Sequence, residues 1–197
     1  MSPGYGVFPA MVSPELCLAL SESMVARRLA DSFVRARTGR GAGLDRRPEI
    51  RTDEIYWLNE PSATVAEEEW LGRMEEARQC LREVLRIPLD HFEGHLARYA
   101  PGGFYKPHLD QLAATRSRQI SVVLYLNRGW MAEDGGELRI YTTLQTVPVA
   151  GDASFLVRPL AGTVVVFRSA DFWHEVLVSH RERNSLTGWF RLPASMV

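Results

Sequence analysis

In two stretches, about 13–29 and 64–87, the apolar residues of this chain recur at helical spacing; from Phe92 onward they fall in short strand-like runs broken by turns. That change of period most constrains the fold. Ser13-Pro14-Glu15 predicts a helix start, with Ser as N-cap, Pro at the first helical position and an acid in the first turn. This helix should run to about Leu29 and bury Leu16, Leu20 and Met24. Thr64-Val65-Ala66-Glu67 has the form of a capping box and opens a second helix. Its stripe Trp70, Met74, Ala77, Leu81 and Leu85 is read as core until Pro88 stops it. Residues 35–51, rich in Arg and Gly, are expected to form a mobile loop, followed by a strand over 50–58.

Strands are then expected near 93–100, 104–110, 119–126, 136–141, 153–158, 162–168, 173–179 and 184–191, with Asn127-Arg128-Gly129, Asp134-Gly135-Gly136 and Leu160-Ala161-Gly162 as turns. Two helices before a run of antiparallel strands predict a mostly β protein: a sandwich or jelly roll buttressed by N-terminal helices. No internal boundary is visible. The reading is one domain over 1–197, with helical support at about 13–87 and a β core at about 92–191.

Two strands show what the β core must enclose. In the first, Ile120, Val122, Leu124 and Leu126 share one face and Ser121, Val123 and Tyr125 the other. In the second, Leu186 and Phe190 oppose Arg183, Ser185, Thr187 and Trp189. The apolar faces can dock on helices. The opposite faces are too polar for an ordinary sandwich core, where each unpaired group is costly, and predict the wall of a polar pocket.

Composition narrows the partners. A formal charge of -1 gives no reason to expect nucleic acid, and no apolar run approaches a membrane span. The start, MSPGYGVFPAMVSPE, lacks the pattern of a secretory signal. Cys17 and Cys80 are the only cysteines and have no C-x-x-C spacing, so two free thiols in a reducing cytoplasm are expected.

The chemistry is concentrated in His108-Leu109-Asp110, His174 and Arg183. On a strand, residues i and i+2 point the same way, so His108 and Asp110 can converge on one ion. With His174 they make the 2-His-1-carboxylate set that holds a non-haem Fe(II) on one face and leaves the other open. H-x-D alone recurs by chance; its force comes from its surroundings. His174 and Arg183 each begin a strand, joined by a turn at Ser179-His180-Arg181, and are expected on adjacent antiparallel strands facing one cavity. The planar Arg183 fork suits a carboxylate, and Tyr125 can add a hydroxyl donor. A dicarboxylate α-keto acid fits: one end on iron, the far carboxylate on Arg183. His91, His95 and His180 are read as structural or solvent-facing.

The chain resembles the Fe(II)/2-oxoglutarate-dependent dioxygenase superfamily, specifically prolyl hydroxylases of the hypoxia-sensing type and their bacterial relatives. The matching segments run in order from residues 49–57 and 98–103 through 108–110, 124–127 and 135–140 to 173–176 and 183–190. The resemblance implies a double-stranded β-helix with helices on its larger sheet. It implies iron ligands at His108, Asp110 and His174, and 2-oxoglutarate contacts at Arg183, Tyr125 and Tyr99. It also places Arg51, Asp53, Trp57, Arg118 and Trp189 near the pocket mouth and substrate path, and makes residues 38–50 a loop that covers substrate. Collagen-type prolyl hydroxylases differ in having Lys where this chain has Arg183.

The function expected on these grounds is hydroxylation of a prolyl residue in an exposed loop of a protein substrate. Fe(II), 2-oxoglutarate and O2 would be consumed or held, ascorbate would serve as reductant, and succinate and CO2 would be co-products. The expected protein is a monomer without nucleic-acid or membrane partners. Two rivals stand: the same chemistry on a free amino acid or small metabolite, and a non-catalytic 2-oxoglutarate- or peptide-binding sensor domain. A nucleic-acid demethylase of the superfamily is disfavoured, because its usual second Arg six residues after the first is here Trp189.

Overall fold

The computed structural model describes residues 4–37, 45–58, 63–111, 115–142 and 146–196. Helix α1 (Pro14–Leu29) opens as expected, with the Ser13 side chain accepting from the Leu16 amide, and buries Leu16, Leu20 and Met24. Helix α2 (Val65–Leu85) opens with the reciprocal capping box of Thr64 and Glu67 and ends at Arg86, which takes a left-handed conformation. Glu67 does more than cap. Fully buried, its carboxylate accepts from Ser23 and pairs with Arg27 at 2.8 Å, which locks the start of α2 onto α1. Trp70 and Met74 are buried and Ala77 and Leu81 partly so, but Leu85 is exposed, contrary to expectation. Fifteen residues after Trp70, at 3.6 per turn, Leu85 is rotated by roughly 60° from the stripe.

The strands are β1 (Tyr5–Phe8), β2 (Val34–Arg35), β3 (Glu54–Trp57), β4 (His91–Tyr99), β5 (Tyr105–His108), β6 (Arg118–Tyr125), β7 (Leu138–Tyr141), β8 (Ser154–Val157), β9 (Val164–Arg168), β10 (His174–Val176) and β11 (Arg183–Arg191). They form an antiparallel seven-stranded sheet, β1-β9-β6-β11-β4-β3-β2, and a four-stranded sheet, β5-β10-β7-β8. The predicted face split is observed. Leu96, Ile120, Val122, Leu124, Leu186 and Phe190 pack under the helices, and burial of each is worth about 1.5–3 kcal/mol. The other face looks across to the small sheet, around Val123, Tyr125, Leu138 and Ile140.

Three departures bear on the site. The edge strands β1 and β2 were not expected, being short and poor in alternation. The Arg/Gly stretch 35–51 is not simply a loop: Arg35 is in β2, Ala36 is buried, and Arg51 bridges to Tyr105 on β5. Residues 38–44 of the expected covering loop lie outside the described residues. Finally, β10 and β11 are not neighbours in one sheet. The turn between them crosses from the small sheet to the large one, with Ser179 hydrogen-bonded to the backbone at Gly102 and Gly103. His174 and Arg183 therefore stand on opposed sheets that enclose the cavity.

Candidate active site

His108 closes β5 and His174 opens β10, and the two are direct register partners. Asp110, two residues beyond His108, lies with its carboxylate oxygens 3.7 Å from His108 Nε2 and 3.5 Å from His174 Nε2. One ligand atom from each residue falls within 4.8 Å of the others, and this is the candidate metal cluster among the described residues. Each histidine is oriented by the same local device. Nδ1 of His108 contacts the Lys106 carbonyl at 2.8 Å, and Nδ1 of His174 the Phe172 carbonyl at 3.0 Å. A carbonyl can only accept, so the proton of each neutral ring sits on Nδ1 and the lone pair on Nε2 is left for a metal. Ser121 donates to Asp110 Oδ2 at 2.7 Å and is itself linked to Ser169.

Electrostatics favour the same assignment. Burial, then the neighbouring His174, pushes His108 down to about 3, so it stays neutral. Burial opposes charge on Asp110 as well, yet the two histidines hold its carboxyl well below the usual range. Asp110 in turn raises His174 against the effect of its burial. Two imidazoles and one anionic oxygen, with the ring lone pairs converging, fit Fe(II).

The large sheet floors a cavity of about 430 Å³. Its register forms a grid of inward side chains. Arg183 pairs with Tyr99 in one row; Tyr125, Ser185, Ala97 and Ile55 form the next; Val123, Thr187, His95 and Trp57 the third; Ser121 and Trp189 the fourth. Arg183 is 2% exposed, donates from Nε to the Gly136 carbonyl at 2.8 Å, and has no carboxylate partner among the described residues. Gly136 has a positive φ, and a Cβ there would press on Ser179 and Arg183, so the turn could not come this close with another residue. Tyr99 and Tyr125 flank the guanidinium at 5.2 and 5.1 Å. The Tyr125 hydroxyl is buried without a hydrogen bond, and burial pushes its pKa up to about 12, so it remains a neutral donor. A buried cation without an anion is costly, and beside an unused hydroxyl it fits an incoming carboxylate. Tyr99 and Arg183 line the cavity, and Tyr125 adjoins it through its contact with the Arg183 guanidinium.

The residues expected at the mouth fall into two groups. Asp53 is buried and holds Arg51 through two hydrogen bonds. Arg51 lies over the Tyr105 ring at 4.3 Å, and Tyr105 stacks on His108 with centroids 3.6 Å apart. On the other side Arg118 lies 3.4 Å over Trp189 and pairs with Glu93. His95 packs against both Trp57 and Trp189; it is buried rather than solvent-facing, as the structural reading allows, and it also lines the cavity. Its inward alternation with Ala97 and Tyr99 was the available signal. Tyr105, three residues before His108, carried no separate signal in the sequence. His91 and His180 are exposed, as expected.

A cavity between two β-sheets that sets a His-Asp-His cluster opposite a buried arginine defines the class of non-haem iron, 2-oxoglutarate-using oxygenases. Residues 94–191 match the 2OG-Fe(II) oxygenase superfamily. A crystal structure of a Pseudomonas putida prolyl-4-hydroxylase is 36% identical, with a TM-score of 0.82 over 96% of this chain and 93% of that one. The hypoxia-inducible factor prolyl hydroxylase of Caenorhabditis elegans is 29% identical over 150 residues, 72% of this chain. The chain spans about 20% of that relative's length. The fold is also that of a Trichoplax adhaerens prolyl hydroxylase solved with a hypoxia-inducible factor peptide fragment, with a TM-score of 0.79 over 96% of this chain and 84% of that one, at 18% identity. The chain belongs to the 2OG-Fe(II) oxygenase superfamily. Within it, the matches place it with the dioxygenases of prolyl hydroxylase type.

Proposed function

We propose that this protein hydroxylates a prolyl residue in a protein substrate, consuming 2-oxoglutarate and O2 and releasing succinate and CO2. The observation that carries the reading is the buried Arg183, without a carboxylate partner among the described residues, across one cavity from His108, Asp110 and His174. When bound, Fe(II) would activate O2, whose four-electron reduction draws two electrons from oxidative decarboxylation of 2-oxoglutarate and two from the substrate C–H bond.

The chain's own residues do the rest. His108, Asp110 and His174 would hold the ion on one side only and leave the opposite side for cosubstrate and oxygen. Arg183 would anchor the distal carboxylate of 2-oxoglutarate, with the Tyr125 hydroxyl and the Tyr99 ring beside it, and so fix which end reaches the metal. Val123, Ala97 and Ile55 form an apolar patch on the floor that would disfavour water beside the cosubstrate. Trp57, Trp189, Arg118 and Arg51 frame the substrate side, where the indoles give an apolar wall for the small pyrrolidine ring of proline.

The prolyl-4-hydroxylase and hypoxia-inducible factor hydroxylase likenesses favour a protein segment over a free amino acid. The test is an assay with Fe(II), 2-oxoglutarate and ascorbate against a proline-centred peptide library, free L-proline as the second arm. A +16 Da product on peptidyl proline is the expected result. Product only on the free amino acid would overturn the protein-substrate reading. Absence of any 2-oxoglutarate turnover would overturn the enzyme reading.

A further inference from the structure

His95 is a buried titratable group that the metal and cosubstrate contacts leave unused. It is 4% exposed and packs in a triangular cluster with Trp57, edge-on at 4.9 Å, and Trp189, tilted at 5.4 Å, the two indoles lying 6.4 Å apart. Its Nδ1 is enclosed and makes no hydrogen bond; its Nε2 is not enclosed, has no partner among the described residues, and faces the cavity that His95 lines. Burial of a polar atom without a partner is costly, and a buried N–H without an acceptor is rarer than a bare lone pair. The proton therefore belongs on Nε2, and the side chain presents a single N–H donor to the cavity. Burial, and then the charges of Arg51 and Arg118, hold the ring neutral, with a pKa near 3.

The register tells what that donor faces. Arg183 and Tyr99 lie two rows away toward one end of the floor. The metal cluster is tied to β6 through Ser121 and packed against β9 through Phe167, 4.7 Å from His174. His95 is on β4, two strands from β6, or roughly 10 Å. It is therefore off the line from Arg183 to the metal and within the tryptophan-walled part of the cavity. A ligand there should offer an acceptor and need no acceptor in return. A prolyl residue in a chain answers that description: it has no N–H, and carbonyls stand on both sides of its ring.

We infer that His95 is a specificity-determining residue, donating from Nε2 to a backbone carbonyl oxygen of the substrate segment beside its target proline. The inference rests on the prolyl-hydroxylase reading of the cavity. The same donor chemistry could serve a carboxylate oxygen of 2-oxoglutarate, and the two sources separate experimentally. Free proline would use the contact poorly, because it lacks the carbonyl on its nitrogen.

The experiment uses the full chain with Fe(II) and compares His95→Leu and His95→Gln with the parent, on the proline-centred peptide library and on 2-oxoglutarate. Expected for His95→Leu is a rise in the peptide KM that exceeds any rise in the 2-oxoglutarate KM at least tenfold. His95→Gln, which keeps a side-chain N–H, should recover part of that loss. Imidazole 1H–15N correlations of the parent protein should show His95 as the neutral Nε2–H tautomer, whether or not the variants fold well. An Nδ1–H tautomer, an equal rise in both KM values, or a peptide KM unchanged in His95→Leu would each overturn the inference. If the parent turned over 2-oxoglutarate but hydroxylated no peptide, the protein-substrate reading itself would fall and take this one with it.

Discussion

His108 and His174 are register partners across β5 and β10, and each ties its Nδ1 to the carbonyl two residues before it. The same short-range device thus sets both rings, so the two metal-facing nitrogens are positioned by backbone rather than by mobile side chains. Preorganisation of this kind lets a site exist before metal arrives.

Replacing His108, Asp110 or His174 by Ala should each abolish 2-oxoglutarate turnover while the fold survives, because the core beneath the helices does not involve them. Mn(II) binding by calorimetry and far-UV circular dichroism read the two halves. Near-normal turnover in any two of the variants would refute the assignment of the triad.

Ser121→Ala removes the hydroxyl that donates to Asp110 at 2.7 Å. Groups that orient a metal ligand are worth about 10–100-fold in metal affinity. The lower end is expected here, since Asp110 keeps both histidine neighbours. Mn(II) titration is the measurement, and unchanged affinity would remove Ser121 from the metal's support.

Arg183→Lys replaces a planar fork by a point charge. Loss of one charge-assisted hydrogen bond, roughly 1.5–3 kcal/mol, should raise the 2-oxoglutarate requirement about one to two orders of magnitude. Metal affinity should move far less. Steady-state kinetics in 2-oxoglutarate test this, and an unaltered requirement in Arg183→Ala would show that the cosubstrate is held elsewhere.

Glu67→Gln tests the helix staple and its pH dependence. Burial opposes the Glu67 charge, but hydrogen bonds from Arg27, Ser23 and the Thr64 amide overcome it and lower the pKa. A carboxylate depressed in the folded state stabilises above its unfolded pKa, and that contribution is lost as pH falls through the folded value. The variant should be about 1–3 kcal/mol less stable at neutral pH. The gap should narrow steadily on acidification below the ordinary Glu range. Urea unfolding across that range checks it; a gap independent of pH would mean the staple acts through shape alone.

Much of this molecule is legible in local pattern. Ser13 and Thr64 mark helix starts because capping needs only residues three positions apart. Ile120 to Leu126 and Arg183 to Phe190 announce their two faces because a strand alternates whatever it pairs with. The same alternation, with the spacing of His108 and Asp110, is why the metal ligands can be read without a structure. What tertiary structure alone decided is which strands meet. Consecutive strands β10 and β11 were expected side by side but lie on opposed sheets, since a turn's sequence records that the chain reverses and not which sheet it joins next. That choice puts Arg183 across from His174. Packing also gathers His95 at the cavity wall with Trp57 and Trp189, residues 38 and 94 positions away that no local pattern ties to it.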